Sequence, residues 1–257
     1  YNIRREDRVI ILMNDVVQYP IIFWGCLKSG VIPVLLNTLL SNEIINEIIN
    51  DSRAKAVFIT SNLLDTFNDL LTKNSNIQNI FEIGKNSNYI NFIDEIKKCQ
   101  IESTIDCSKD EIAFWLYSSG STGQPKGVKH VHGSLEYTYK TYGKQVLKIH
   151  QNDIIFSVAK LFFAYGLGNA LTFPLSIGGT SILSKDRPTV EIVNNKIKHN
   201  NVTIFFGVPT LYAAMLNSNL KPEDFKSLRL SVSAGEALPE HLCNKWSKTI
   251  GSNVLDG

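Results

Sequence analysis

Apolar positions come in two rhythms along this chain. Short β-branched runs alternate with longer stretches whose apolar residues recur at helical spacing. Residues 8–13 form a first short apolar run, and residues 19–29 predict a helix closed by Gly30. Residues 31–36 predict a second strand. Ser41 stands at a cap position ahead of Ile44, Ile45, Ile48 and Ile49, which share one helical face. Residues 54–60 read as a third strand and 63–71 as a helix. The signal then weakens through an Asn-, Lys- and Ile-rich stretch, with a strand over 80–83 and a helix over 92–98.

Residues 102–110 are polar and read as a linker, dividing an α/β region over 1–108 from a second over 109–257. The second opens on a buried strand, residues 112–117. Helices are predicted over 134–146, 166–175, 190–199, 209–216 and 238–249. Between and after them fall strands over 154–159, 180–183, 202–206, 228–232 and 253–255. Repeated strand–helix–strand units with apolar strands predict an α/β fold. Its sheets should be mostly parallel, flanked by helices and joined by right-handed crossovers.

Composition narrows the functions. Apolar content of 44% supplies a real core, and a net charge of +2 without a dense Lys/Arg run excludes a nucleic-acid surface. No apolar run reaches the length of a membrane span, because Lys28 and Gly30 break the longest stretch. Cys26, Cys99, Cys107 and Cys243 are scattered without a C-x-x-C pair, which leaves reduced thiols and a cytoplasmic location as the expectation. His130 and His132 could share a strand face, but no third metal ligand is visible nearby. The chain opens at Tyr1 and stops at Asp256-Gly257, and both ends read as cuts within a longer parent.

The candidate chemistry centres on Tyr117-Ser118-Ser119-Gly120-Ser121-Thr122-Gly123-Gln124-Pro125-Lys126-Gly127. Glycines let backbone N–H groups approach an anion, the hydroxyls of Ser118, Ser121 and Thr122 add donors, and Lys126 adds a compact positive charge. These are the parts of a phosphate cradle, although not a Walker loop, and the same composition also suits a polar surface loop. A second stretch, 159–169, places Phe162, Phe163, Ala164, Tyr165, Gly166 and Gly168 after a strand. It suits either an aromatic corner of the core or a ligand wall at the carboxyl edge of a sheet. A third, Ser233-Ala234-Gly235-Glu236-Ala237-Leu238-Pro239, offers a flat backbone turn after a strand, or an ordinary connection.

Taken in order, these stretches resemble the adenylate-forming superfamily. Leu27-Lys28-Ser29-Gly30-Val31-Ile32-Pro33-Val34, Gly207-Val208-Pro209-Thr210-Leu211-Tyr212 and the terminal Leu255-Asp256-Gly257 join the resemblance. The wording is most similar to benzoate–CoA ligases and covers nearly the whole chain, so the chain is expected to be part of a large N-terminal adenylation domain. The resemblance implies ATP-dependent activation of a small aromatic carboxylate to acyl-AMP and then acyl-CoA, with ATP, Mg²⁺ and coenzyme A taking part. It assigns Ser118, Ser119, Gly120, Ser121, Thr122, Gly123, Lys126 and Gly127 to the phosphates, with Lys126 as the catalytic cation. Gly235, Glu236, Ala237, Asp256 and Gly257 would face adenine, and Ala164, Tyr165 and Gly166 would line the acyl pocket. Lys160 faces the carboxylate or sits on the surface.

The family's Thr-Glu after Asp-Gly, which contributes to Mg²⁺ binding, its ribose-binding Asp and its C-terminal domain with a catalytic lysine are not in this sequence. The 257 residues are therefore expected to be incompetent alone. Two alternatives stay open: an adenylation domain that loads a carrier protein, and a non-catalytic nucleotide-binding module. The sequence leaves the oligomeric state and the identity of the acid open.

Overall fold

The computed structural model describes residues 1–85, 88–119 and 124–257. They form two compact units, Tyr1–Ser134 and Leu135–Gly257, each with its own sheet.

The first unit runs β1 (Arg8–Leu12), α1 (Gln18–Ser29), β2 (Ile32–Leu35), α2 (Asn42–Ser52), β3 (Ala56–Thr60), α3 (Leu64–Lys73) and β4 (Asn79–Ile83). It continues with β5 (Ile90–Asn91), α4 (Phe92–Ile96), β6 (Ile112–Ser119) and β7 (Pro125–Val131). The strand order is β5-β4-β3-β1-β2-β6-β7, parallel throughout except for β6 with β7. Both faces of the central strands are covered, which explains their unbroken apolar runs. On one face Ile10, Leu12, Val34, Val57 and Ile59 pack against Ile45, Ile48 and Ile49 of α2 and Phe67 and Leu71 of α3. The N-terminus of α2 is set by the Ser41 hydroxyl, which accepts from Ile44 N–H at 3.4 Å.

The division expected at residue 108 lies elsewhere. β6 and β7 complete the first sheet, because β2 would otherwise present an open edge. β6 fills that edge, pairing Val34 with Trp115 and Leu35 with Leu116. The polar stretch before it is pinned to the first unit through Ile105 N–H to Lys28 O at 3.1 Å. The start of β7 reads from sequence as part of a loop, and only His130, near its end, is placed on a strand face. Its Pro125, Lys126 and Gly127 have weak strand preference, and antiparallel pairing with β6 makes the strand.

The unit boundary falls within α5 (His132–Thr138). The second unit then holds β8 (Ile154–Ser157), α6 (Ala164–Leu167), α7 (Phe173–Ile177), β9 (Thr180–Ile182), α8 (Val190–Asn200) and β10 (Ile204–Gly207). After these come α9 (Pro209–Leu216), β11 (Leu230–Ser233), α10 (Glu240–Ile250) and β12 (Asn253–Asp256). The order is β12-β11-β10-β8-β9, every pair parallel.

Two helices expected to be continuous contain π-helical turns, over Tyr139–Gly143 and Gly168–Thr172. In the second, Phe173 N–H bonds to Gly168 O. That wider register lays the Phe173 ring over Gly168, where a β-carbon would meet it at 3.0 Å.

Phe156, Phe205 and Val193 pack with Tyr212 of α9 and Trp246 of α10 on one face of the second sheet. Ile155, Phe206 and Val232 pack with Phe173 and Tyr165 on the other. At the amino edge, fully buried Asp153 receives Arg229 Nε at 2.8 Å and Nη2 at 2.6 Å. It also accepts from the Thr203 hydroxyl at 2.8 Å and from His150 N–H at 2.9 Å. One carboxylate thus ties together the entries to β8, β10 and β11. Among the described residues no helix is long and apolar enough to cross a membrane.

Candidate functional site

Because every strand of the second sheet runs the same way, all its outgoing loops gather on one edge. The connection leaving β8 carries α6 and α7 over one face, and the connection leaving β10 carries α9 over the other. Neighbouring strands whose connections part in this way open a crevice at their carboxyl ends, the place where α/β sheets bind ligands.

The aromatic corner stands on that crevice. Leu161 and Phe162 are buried, Phe163 and Ala164 are exposed, Tyr165 is half-buried and Gly166 is buried. A β-carbon at Gly166 would lie 2.1 Å from Lys160 O and 2.4 Å from Ala159 O, so only glycine lets the helix start this close to the preceding backbone. The Tyr165 ring meets Phe206 edge-on, with centroids 6.0 Å apart. Its hydroxyl lies 3.3 Å from Gly207 O and 3.4 Å from Val232 O. Burial, with a smaller push from Tyr142, raises the phenol's pKa, so it remains a donor at neutral pH. Lys160, half-buried beside the corner, turns its ammonium toward the 184–186 loop. It donates to Ser184 O at 2.6 Å and Asp186 O at 2.8 Å.

The turn after β11 and the end of β12 are joined at two points. Gly257 N–H donates to Ser233 O at 2.8 Å. The Asp256 carboxylate accepts from Leu238 N–H, at 3.2 and 3.3 Å to its two oxygens. Glu236 and Ala237 are exposed on this turn. Gly235 sits at φ 94° with open space where a β-carbon would go, so its constraint is purely one of backbone. Gly235→Ala is expected to cost about 1–2 kcal/mol. The readout is a lower denaturant midpoint at an unchanged slope; an unshifted midpoint contradicts it.

In the first unit, β6 and β7 form the base of the glycine- and hydroxyl-rich loop. Ser118 is the register partner of Lys126, and Tyr117 that of Gly127. Directly paired residues project to the same face of a sheet, so the Ser118 hydroxyl and the Lys126 ammonium share one side of the hairpin. Both are exposed. Tyr117 packs over Gly127 and donates its hydroxyl to Asp51. Burial and the Asp51 carboxylate raise the phenol's pKa. Gly120, Ser121, Thr122 and Gly123 lie outside the described residues, as does the side chain of Ser119. A cavity of about 400 Å³ in this unit opens at the other edge, among Arg8, Ile32 and Ile112, where β1, β2 and β6 begin. His130 stacks on Phe114 with the rings 4.7 Å apart.

Sequence reasoning missed two contacts near these strand ends. Tyr212 donates its hydroxyl to Val232 O at 2.9 Å, and the Tyr142 hydroxyl would meet a β-carbon at Gly257 at 3.1 Å. Tyr142 reads as an ordinary helix-face residue and Tyr212 only as the end of the 207–212 stretch, and nothing local marks the target of either.

The chain matches the AMP-binding enzyme family over residues 1–257. It is 39% identical to a benzoate–CoA ligase of Thauera aromatica, covering 98% of this chain and 48% of the relative. Identity to a 4-hydroxybenzoate–CoA/benzoate–CoA ligase of Rhodopseudomonas palustris is 37%, over 99% of this chain and 48% of the relative. The chain therefore spans about half the length of the curated relatives it matches. Its fold superimposes on a benzoate–CoA ligase from Burkholderia xenovorans with a TM-score of 0.92 at 38% identity, over 99% of this chain and 50% of that one. An anthranilate–CoA ligase solved with anthranoyl-AMP gives 0.94 at 33% identity, over 99% and 49%.

Proposed function

This chain belongs to the AMP-binding enzyme family, and we propose that the full-length protein uses ATP to convert a small aromatic carboxylate, through its acyl-adenylate, into a CoA thioester. The observation that carries this reading is the crevice at the carboxyl edge of the second sheet. There an aromatic corner after β8 and a two-point-braced backbone turn after β11 stand on either side of the end of β10, in a chain whose relatives are named for benzoate and its derivatives.

In the first step a carboxylate oxygen attacks the α-phosphorus of ATP, and pyrophosphate leaves. In the second the CoA thiol, losing its proton, attacks the acyl carbon, and AMP leaves. Lys126 and Ser118, with Ser119, Gly120, Ser121, Thr122, Gly123 and Gly127, would neutralise and orient the phosphates. Gly235, Glu236, Ala237, Asp256 and Gly257 would receive the adenine. Ala164, Tyr165 and Gly166 would form the wall beside the acid's ring. An edge-to-face or offset contact there adds about 0.5–1.5 kcal/mol beyond burial. Mg²⁺ would neutralise phosphate charge beside Lys126; among the described residues no group of three or more His, Cys, Asp and Glu is placed to hold it. We place the reaction in the cytoplasm, where ATP and CoA are supplied and where the four free cysteines stay reduced.

The test is carboxylate-dependent ATP–pyrophosphate exchange by the full-length protein, followed by thioester formation on adding CoA. Benzoate and its hydroxy or amino derivatives are expected to support both, and aliphatic acids of eight or more carbons neither. Preference for the long aliphatic acids would overturn the aromatic assignment. Exchange without thioester formation would overturn CoA as acceptor and favour a carrier protein.

A further inference from the structure

Tyr165 does more than line a wall. Its phenol spans two strand ends, with Gly207 O, the last carbonyl of β10, at 3.3 Å and Val232 O, the penultimate carbonyl of β11, at 3.4 Å. A hydroxyl has one proton to donate, and these two acceptors stand at nearly equal range. Both distances are long for an O–H···O bond, so neither bond is fully made. Val232 O already holds the Tyr212 hydroxyl at 2.9 Å. The two phenols reach that carbonyl from opposite faces of the sheet, since Tyr165 packs with Phe206 and Tyr212 with Phe205. Val232 directly precedes Ser233, whose carbonyl receives Gly257 N–H. The turn over 233–239 therefore starts at the point where the phenols converge.

We infer that the Tyr165 hydroxyl is a positioning group that links the acid-facing corner to the adenine-facing turn, so that an aromatic acid and ATP each tighten the other's binding. The inference rests on the function proposed above for those two elements. The hydroxyl can point its one O–H to Gly207 O or to Val232 O, and an element with two such arrangements is what coupling between sites requires. An acid seated against the Tyr165 ring shifts the ring and favours one carbonyl. A nucleotide seated on the turn moves Val232 and favours one carbonyl from the other side. Each ligand then alters the other's affinity by the same factor.

The experiment uses the full-length protein with benzoate and a non-reactive α,β-methylene analogue of ATP. The dissociation constant of benzoate is measured by calorimetry with and without saturating analogue, in wild type, Tyr165→Phe and Tyr212→Phe. Wild type is expected to bind benzoate roughly fivefold or more tightly when the analogue is present. Tyr165→Phe keeps the ring and is expected to bind benzoate alone, but with the ratio reduced to near one. Tyr212→Phe loses the other phenol on the same carbonyl and is expected to lower the melting temperature while keeping the ratio. A wild-type ratio near one overturns the inference, and so does a Tyr165→Phe ratio equal to wild type. Equal loss of the ratio in both variants reduces Tyr165 to a structural bond and overturns it too. If wild type binds an aliphatic acid and not benzoate, the aromatic assignment fails instead. The same ratios measured with that acid then decide the coupling.

Discussion

Asp153→Ala is expected to lower the stability of the second unit by about 2–4 kcal/mol, from lost charge-assisted hydrogen bonds and the donors left unpaired, with Arg229 itself 34% exposed. The carboxylate is fully buried and accepts from Arg229, Thr203 and His150 N–H. Its loss leaves the Arg229 guanidinium with only Lys148 O, at 3.1 Å, among the partners described for it. The penalty also has a pH signature. Burial works to raise the Asp153 pKa, but Arg229, the His150 amide and Thr203 outweigh it and hold the carboxyl below its ordinary 3.8. A group depressed in the folded state stabilises fully above its unfolded value. It loses that contribution as pH falls through the folded value. Urea titrations should therefore show the widest gap between wild type and mutant at pH 7 and a narrower gap at pH 3. A gap under 1 kcal/mol at neutral pH, or one that widens in acid, would count against this account.

Lys126→Ala in the full-length protein is expected to slow ATP–pyrophosphate exchange about ten- to a hundredfold while leaving the melting temperature unchanged. That corresponds to losing a charge-assisted contact of about 1.5–3 kcal/mol. The side chain is exposed at the base of the hairpin, on the same face as Ser118. It buries no apolar surface whose loss would unfold β7, and its backbone pairing survives the substitution. Lys126→Arg keeps the charge but replaces a compact ammonium with a planar fork, and should recover only part of the rate. If the alanine variant folds normally and exchanges at the wild-type rate, Lys126 does not meet the phosphates.

The fold class was legible because its signals are local. Parallel strands buried on both faces read as unbroken apolar runs, as in Ile10-Ile11-Leu12 and Ile204-Phe205-Phe206, and Ser41 marks its helix start by chemistry alone. The candidate site is proposed from sequence for the same reason, since glycines, hydroxyls and a lysine after a buried strand suggest a phosphate cradle by their order. Resemblance then assigned the roles that order alone left open. Tertiary structure decided what depends on distant partners. β7 exists because β6 pairs with it, and β6 belongs to the first sheet because β2 has an edge to fill. Lys160 donates to carbonyls 24 and 26 residues away. Asp153 and Arg229, 76 residues apart, meet only because three strand entries converge. Tyr165 reads from sequence as a wall for a ring. Only the folded sheet brings the ends of β10 and β11 within reach of its hydroxyl, because a hydrogen bond is set by distance and angle in space, which residue order does not contain.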